Sequence, residues 1–435
     1  MVLLFLSHPL SSLFAGDDTQ QNVQLLVILL VITLAVALIS RPLRLPYTLL
    51  LVIVGLLIGF SPLLPTVSLN PDVVLFLFLP VLLFEGAWNM NLAHLKENWL
   101  PVLLLAVPGL VLSVLVVAVL LHWGLGLSWL LVFLLGAIIS PTDPIAVLAL
   151  LRQLGLSDRL RTIIEGESLF NDGVGAAIFT LVLGFLLAAN GAVAQDFSFW
   201  LVAGQALWLI LGGFALGLLA GLIMARLLYF VNDYLIEMTM TLGVAYGVYL
   251  LGTLLETSGL LAVVGAGLVL GNYGRHSVMS ERSRQVTEDI WEFFGYLANS
   301  FLFLLLGVQI GERNFVAAFT GIGLAIVGVV VGRAIMILLF ISLHDLLARW
   351  LQKKPLPTIL SALARLQPLP ARWRPILLFS GLRGALSLAL VLSLPATLPS
   401  RALLQNIVYG VVLVTLLGQG IGLRFFLPQW KKGEQ

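Results

Sequence analysis

Gly136-Ala137-Ile138-Ile139-Ser140-Pro141-Thr142-Asp143-Pro144 falls in the middle of an apolar run that extends from about 129 to 151. Two prolines three residues apart cannot sit in a continuous helix, because each lacks an N–H and clashes with the turn before it. An unwound stretch at membrane depth is tolerated only where it is buried in protein or lines a wet cavity. There it presents backbone carbonyls, and here also the Thr142 hydroxyl, to a small cation. A proline kink alone accounts for the bend but not for the acid, Asp143, that stands inside it.

The rest of the chain explains why such a break matters. Of its 435 residues, 60% are hydrophobic and only 10% are Asp, Glu, Lys or Arg, against about 25% charged in an ordinary soluble domain. So few charges exclude a soluble fold. The continuous apolar runs exclude an outer-membrane barrel, whose strands alternate apolar and polar. An all-α polytopic membrane protein remains. The absence of cysteine removes disulfide frameworks and thiolate chemistry from consideration.

Runs long enough to cross a bilayer lie near 23–40, 46–60, 72–89, 99–122, 129–151, 163–189, 198–228, 236–255, 258–272, 288–310, 315–343, 375–396 and 403–427. That makes about thirteen transmembrane helices. With the amino terminus outside, nineteen of the 23 Lys and Arg fall in cytoplasmic segments. Arg313 and Arg401 fall outside, and Arg333 and Arg383 lie within spans. The positive-inside rule expects this asymmetry, and one span more or fewer would scramble it. The carboxyl end is then cytoplasmic. The expected layout is an extracytoplasmic tail over 1–22, a first repeat over 23–189, a linking span over 198–228, a second repeat over 236–427 and a short cytoplasmic tail over 428–435. Met1 to Gly16 is expected to form a short or interfacial segment, with a signal peptide as the alternative. The connection 344–374 is basic and Pro-rich, and should lie along the cytoplasmic surface.

An ionised side chain at mid-membrane costs about 2.5–3.5 kcal/mol on insertion scales. Even so, Glu85, Asp143, Glu165, Glu167, Asp172, Arg333 and Arg383 stand inside or beside apolar spans. They must face one another, water or an ion. The sixth span reads Glu165-Gly166-Glu167-Ser168-Leu169-Phe170-Asn171-Asp172. Residues four apart share a helix face, which groups Ser168 with Asp172 and Glu167 with Asn171. Glu167 and Asp172 are five apart, about 140° around the helix. A desolvated carboxylate without a fixed cation takes either a proton or a metal cation, and hydroxyl, amide and carboxylate oxygens suit a hard cation. One group that takes either species in turn is the minimal chemistry of an exchanger. Arg333 stays protonated and needs an acid. In the twelfth span, Ser380-Gly381-Leu382-Arg383-Gly384-Ala385 forms a second interruption, running opposite to the first. Interrupted spans in corresponding places of two oppositely oriented six-helix repeats point to a transport site at the repeat interface.

Taken together, Leu79-Pro-Val-Leu-Leu-Phe-Glu85, Ser140-Pro-Thr-Asp-Pro144, Gly166-Glu-Ser-Leu-Phe-Asn-Asp172, Ser258-Gly-Leu-Leu-Ala-Val-Val264, Gly267-Leu-Val-Leu-Gly-Asn272, Gly332-Arg333 and Gly381-Leu-Arg-Gly-Ala385 resemble the monovalent cation:proton antiporters of the NhaP and sodium/hydrogen exchanger type. The resemblance implies the inverted-repeat fold of the NhaA type, a homodimer, and elevator-like movement of a core against a dimerisation part. It implies that Asp172 carries cation and proton in turn, with Thr142 and Ser168 as oxygen ligands and Asp143 in the same break. It marks Asn171 as the sign of electroneutral exchange, and pairs Glu167 with Arg333. Asp143 is expected, less directly, to face Arg383, and Glu85 to line the inner funnel or to pair structurally. No regulatory module is expected after Leu427.

The implied activity is one-for-one exchange of sodium for a proton across the plasma (inner) membrane. Lithium or potassium are alternative cations, and a potassium/proton antiporter or a cation channel are alternative functions. The partners are the ion, the proton and the lipid bilayer, with no cofactor and no nucleic acid. A protease would need a His-Glu-x-x-His pair, a nucleophilic serine with a histidine, or two aspartates in protease context; the first is absent and no histidine is expected deep in a span. A channel would ordinarily assemble one pore from repeated subunits, whereas here breaks and carboxylate lie within one chain.

Overall fold

The computed structural model describes residues 18–43, 47–60, 74–144, 148, 157–190, 199–275, 279–311, 315–352, 367–381, 383–395, 397, 398 and 400–431. The first seventeen residues, the last four and the middle of the basic connection at 353–366 lie outside these, as do the inner end of the fifth span and Leu382. Every regular element among the described residues is helical.

In chain order the helices are α1 (Asp18–Leu43), α2 (Tyr47–Gly59), α3 (Leu79–Asn89), α4 (Leu92–Glu97), α5 (Trp99–Leu104), α6 (Leu110–Leu125), α7 (Trp129–Ile139) and α8 (Asp158–Asn190). They continue with α9 (Phe199–Leu207), α10 (Gly213–Leu228), α11 (Tyr234–Leu254), α12 (Gly259–Val269), α13 (Glu281–Gly311), α14 (Phe319–Gln352), α15 (Trp373–Phe379), α16 (Ala385–Leu392) and α17 (Arg401–Lys431). Wide turns continue α5 into α6, α9 into α10 and the end of α12 to Gly274. Pro108 stands in the first of these, where the wider turn relieves the clash its ring would make in a regular helix.

Among the described residues, seven helices are long and apolar enough to cross a membrane, and five shorter apolar helices accompany them. Several helices outrun their apolar stretches. The tenth span, expected from 288, begins at Glu281 as α13, and the sixth, expected from 163, begins at Asp158 as α8. Their first turns carry charge, which hydropathy does not detect but a helix reaching past the hydrocarbon accommodates.

Packing sorts the helices into two groups. In the first, α1, α2 and α3 pack with α10, α11, α12 and α13; in the second, α6, α7 and α8 pack with α14, α16 and α17. The first group is drawn tight by small residues. A methyl at Gly55 or Gly59 of α2 would run into the backbone around Leu304, Gly307 and Gly311 of α13, so the two helices touch backbone to backbone. The second group holds both interruptions. Helix α7 stops at Ile139, residues 140–144 are not helical, and residues 380–384 separate α15 from α16. The Ser387 hydroxyl of α16 donates to the Ile138 carbonyl at 2.7 Å, joining one interrupted span to the other.

Candidate functional site

Three residues of α8 face the first break, and each has a different task. Ser168 donates its hydroxyl to the Thr142 carbonyl. Asn171 donates from Nδ2 to the Thr142 hydroxyl at 2.9 Å and to Glu167 Oε1 at 3.4 Å, while its Oδ1 accepts from the Thr142 N–H at 3.4 Å. Thr142, Ser168 and Asn171 are all buried. The unwound backbone is therefore held by side chains in place of the helical hydrogen bonds it lacks. Pro141 reaches α8 because Gly175 has no side chain to obstruct its ring.

Glu167 is 2% exposed and Arg333, on α14, 4%. They form a two-pronged ion pair, Nη1 to Oε1 at 2.5 Å and Nη2 to Oε2 at 3.0 Å. Arg333 also donates to the Leu377 carbonyl, from Nε at 3.1 Å and Nη2 at 2.9 Å, and from Nη2 to the Ser380 hydroxyl at 3.1 Å. A planar guanidinium with five donors can satisfy a carboxylate and a helix end together. Ser380 and the Leu377 carbonyl close the second break around Arg333, and nothing in the chain's hydropathy marks them. A serine beside a break is the one signal that could have pointed to Ser380.

The glycines that flank Arg383 have a use the sequence does not disclose. A methyl on Gly381 would overlap the Arg333 side chain, and one on Gly384 would overlap the Asp143 carboxyl. Each glycine of the second break thus receives a charged side chain from another span. Arg383 is fully buried, and its Nη1 donates to the Gly381 carbonyl at 2.8 Å. Arg333 and Glu167 are among the charges that act on it.

Asp172 is half-buried, and among the described residues no donor bonds to its carboxyl. The charges facing it are the acids Asp143 and Glu167. Among the described residues, three carboxylates and two guanidiniums therefore share this region, one acid more than the bases. Gly173, next to Asp172, gives room to Leu261 of α12, so the carboxylate lies where the two packing groups meet.

Glu85 stands apart from this cluster. On α3, it accepts from Asn89 at 2.7 Å and lies against Gly295 of α13 in the first packing group. Glu165 pairs with Arg161 at 2.7 Å, both partly exposed.

The family model described as sodium/hydrogen exchanger, transmembrane, matches residues 26–429. The low-affinity Na+/H+ antiporter NhaS1 of Synechocystis is 37% identical over 93% of this chain and 74% of its own length. The Na+/H+ antiporter ApNhaP of Aphanothece halophytica is 38% identical over 94% and 75%. NhaP of Pseudomonas aeruginosa, also a Na+/H+ antiporter, is 33% identical over 81% and 80%. In fold, the sodium proton antiporter MjNhaP1 of Methanocaldococcus jannaschii superposes with a TM-score of 0.74 at 20% identity, over 95% of this chain and 98% of that one. These relatives are antiporters, which are transporters and not enzymes. The family match runs through both interrupted spans and the buried cluster between them, and the chain belongs to the transmembrane sodium/hydrogen exchanger family.

Proposed function

We propose that this antiporter exchanges one monovalent cation, sodium, for one proton, and that Asp172 carries both in turn. The observation that carries the reading is the charge count at the two breaks. Among the described residues, Glu167, Asp143 and Asp172 oppose Arg333 and Arg383, so one proton or one monovalent cation neutralises that set. Uncompensated charge at this depth is costly, so the carboxylate that no donor holds among the described residues is the place where that charge arrives. Asp172 is that carboxylate.

Thr142 and Ser168 supply oxygens beside it, with the carbonyls of the break. Asn171, whose amide already bonds Thr142 and Glu167, holds the break in shape and adds no second titrating group. Asp143 adds to the negative field, and Arg333 and Arg383 balance it. Sodium is favoured over potassium by the named activity of the relatives. The second packing group carries the ion past the first in an elevator-like movement. The protein works as a homodimer in the plasma (inner) membrane, with thirteen crossings, the amino terminus outside and the carboxyl end cytoplasmic.

Reconstitution in liposomes tests the stoichiometry. With an imposed proton gradient and the membrane potential clamped at several values, sodium-dependent proton movement should proceed at the same rate and to the same end point. A rate or end point that follows the potential would overturn one-for-one exchange.

A further inference from the structure

The motif Gly267-Leu-Val-Leu-Gly-Asn272 has no part in the ion site, yet its last residue holds the point where the chain passes between the two packing groups. Helix α3 belongs to the first group. The short α4 that follows belongs to the second: it packs on α8, with Leu95 at Gly166. Just after α4, Asn98 is buried and its Oδ1 accepts from Arg159 Nε of α8 at 2.7 Å. The crossing is therefore confined to Met90, Asn91 and Leu92. Asn91 is extended there, and its side chain caps α4 by accepting from the Ala93 and His94 N–H groups.

Asn272, in the turn after α12, bonds to both sides of Asn91. Its Nδ2 donates to the Met90 carbonyl at 2.9 Å, and its Oδ1 accepts from the Leu92 N–H at 2.8 Å. A further bond from Nδ2 to the Leu268 carbonyl at 2.9 Å fixes the side chain to its own helix. The amide's donor and acceptor sides are thus used in the only orientation that fits two carbonyls and one N–H. The glycines of the motif make this reach possible. Methyls at Gly267 or Gly271 would overlap Ala87 and the Trp88 backbone of α3, so α3 and α12 lie close enough for Asn272 to span the joint.

We propose that Asn272 is a pivot clamp: it keeps the Met90–Leu92 joint attached to the first packing group while the second group, carrying α4, moves about it. This rests on the two-body transport reading above. Hinges are a few element-terminal residues that absorb the backbone change, and a hinge held at one fixed point turns without wandering. Asn272 is a positioning residue in this account, remote from the ion.

The test uses the full-length protein in liposomes. Asn272→Ala should slow sodium/proton exchange by up to about tenfold, the rate equivalent of one lost hydrogen bond, while the equilibrium sodium affinity stays that of the parent. The chain has no cysteine, so Leu92→Cys with Asn272→Cys offers a covalent replacement for the clamp, compared in one sample with and without reductant. The oxidised pair should exchange faster than the reduced pair. Parental turnover in Asn272→Ala, a fall in sodium affinity equal to the fall in rate, or arrest of exchange by the disulfide would each overturn the pivot. A failure of the carrier reading shows instead in Asp172→Asn, which leaves the joint untouched.

Discussion

Glu167 and Asp172 are the same kind of group on neighbouring turns of α8, and their surroundings differ in each respect that decides what a carboxylate does. Glu167 is closed in, with both oxygens taken by Arg333 and a third contact from Asn171. Asp172 is half-buried, faces the acids Asp143 and Glu167, and accepts no hydrogen bond among the described residues. A buried charge with its partner in place is a fixed structural element. A carboxylate with acids for neighbours and no partner is a place for a cation or a proton to bind. The five-residue offset turns the two side chains about 140° apart on the helix, which lets one helix serve both purposes.

The largest effect that would break this contrast is at Asp172. Asp172→Asn should reduce sodium/proton exchange in liposomes to the background of empty vesicles, with expression and thermal unfolding close to the parent. Appreciable exchange would remove Asp172 from the carrier role. Next come the locked partners. Glu167→Ala and Arg333→Ala should each cost about 3–5 kcal/mol of unfolding free energy, because each strands a buried opposite charge. The double variant should cost less than the sum, and strict additivity would mean that the pair is not coupled.

A smaller loss is expected at the second break. Gly384→Ala places a methyl on the Asp143 carboxyl and should cost about 1–3 kcal/mol, as overpacking does, together with a slower exchange rate. Ser380→Ala removes one acceptor from Arg333 and should cost about 1 kcal/mol, with the sodium KM unchanged. The smallest effect belongs to Glu85, outside the cluster. Glu85→Gln should raise the sodium KM by about twofold at low ionic strength and leave it unchanged at high salt, since screening removes steering.

What could be read from the residues follows a physical line. The proline-interrupted fifth span was legible because two prolines forbid a helix, and the structure ends α7 at Ile139. The Glu167–Arg333 pair was legible because a buried arginine must have an acid, and family resemblance named which one. The surroundings of Asp143 and Arg383 were less legible. Both belong to the breaks, where Asp143 rests against Gly384 and Arg383 donates to the Gly381 carbonyl. Side-chain direction in an unwound segment has no periodicity to read. The Leu377 carbonyl and the contacts of Asn272 were not legible for a related reason, since each joins a side chain to backbone groups of a distant segment; Ser380 had only its place beside the break as a signal. Helix ends also ran past the hydropathy boundaries, most clearly at α8 and α13, because charged turns continue a helix into water without changing its apolar core.

The central claim is that one carboxylate takes sodium and a proton in turn. It is tested most directly by titrating the purified protein with sodium in two buffers of different ionisation enthalpy, which yields the protons released per cation bound. The account predicts a limiting value of one proton per sodium on the acid side, falling toward zero as the solution becomes alkaline, and no sodium binding in Asp172→Asn. Sodium binding without proton release on the acid side, or undiminished binding by Asp172→Asn, would contradict it.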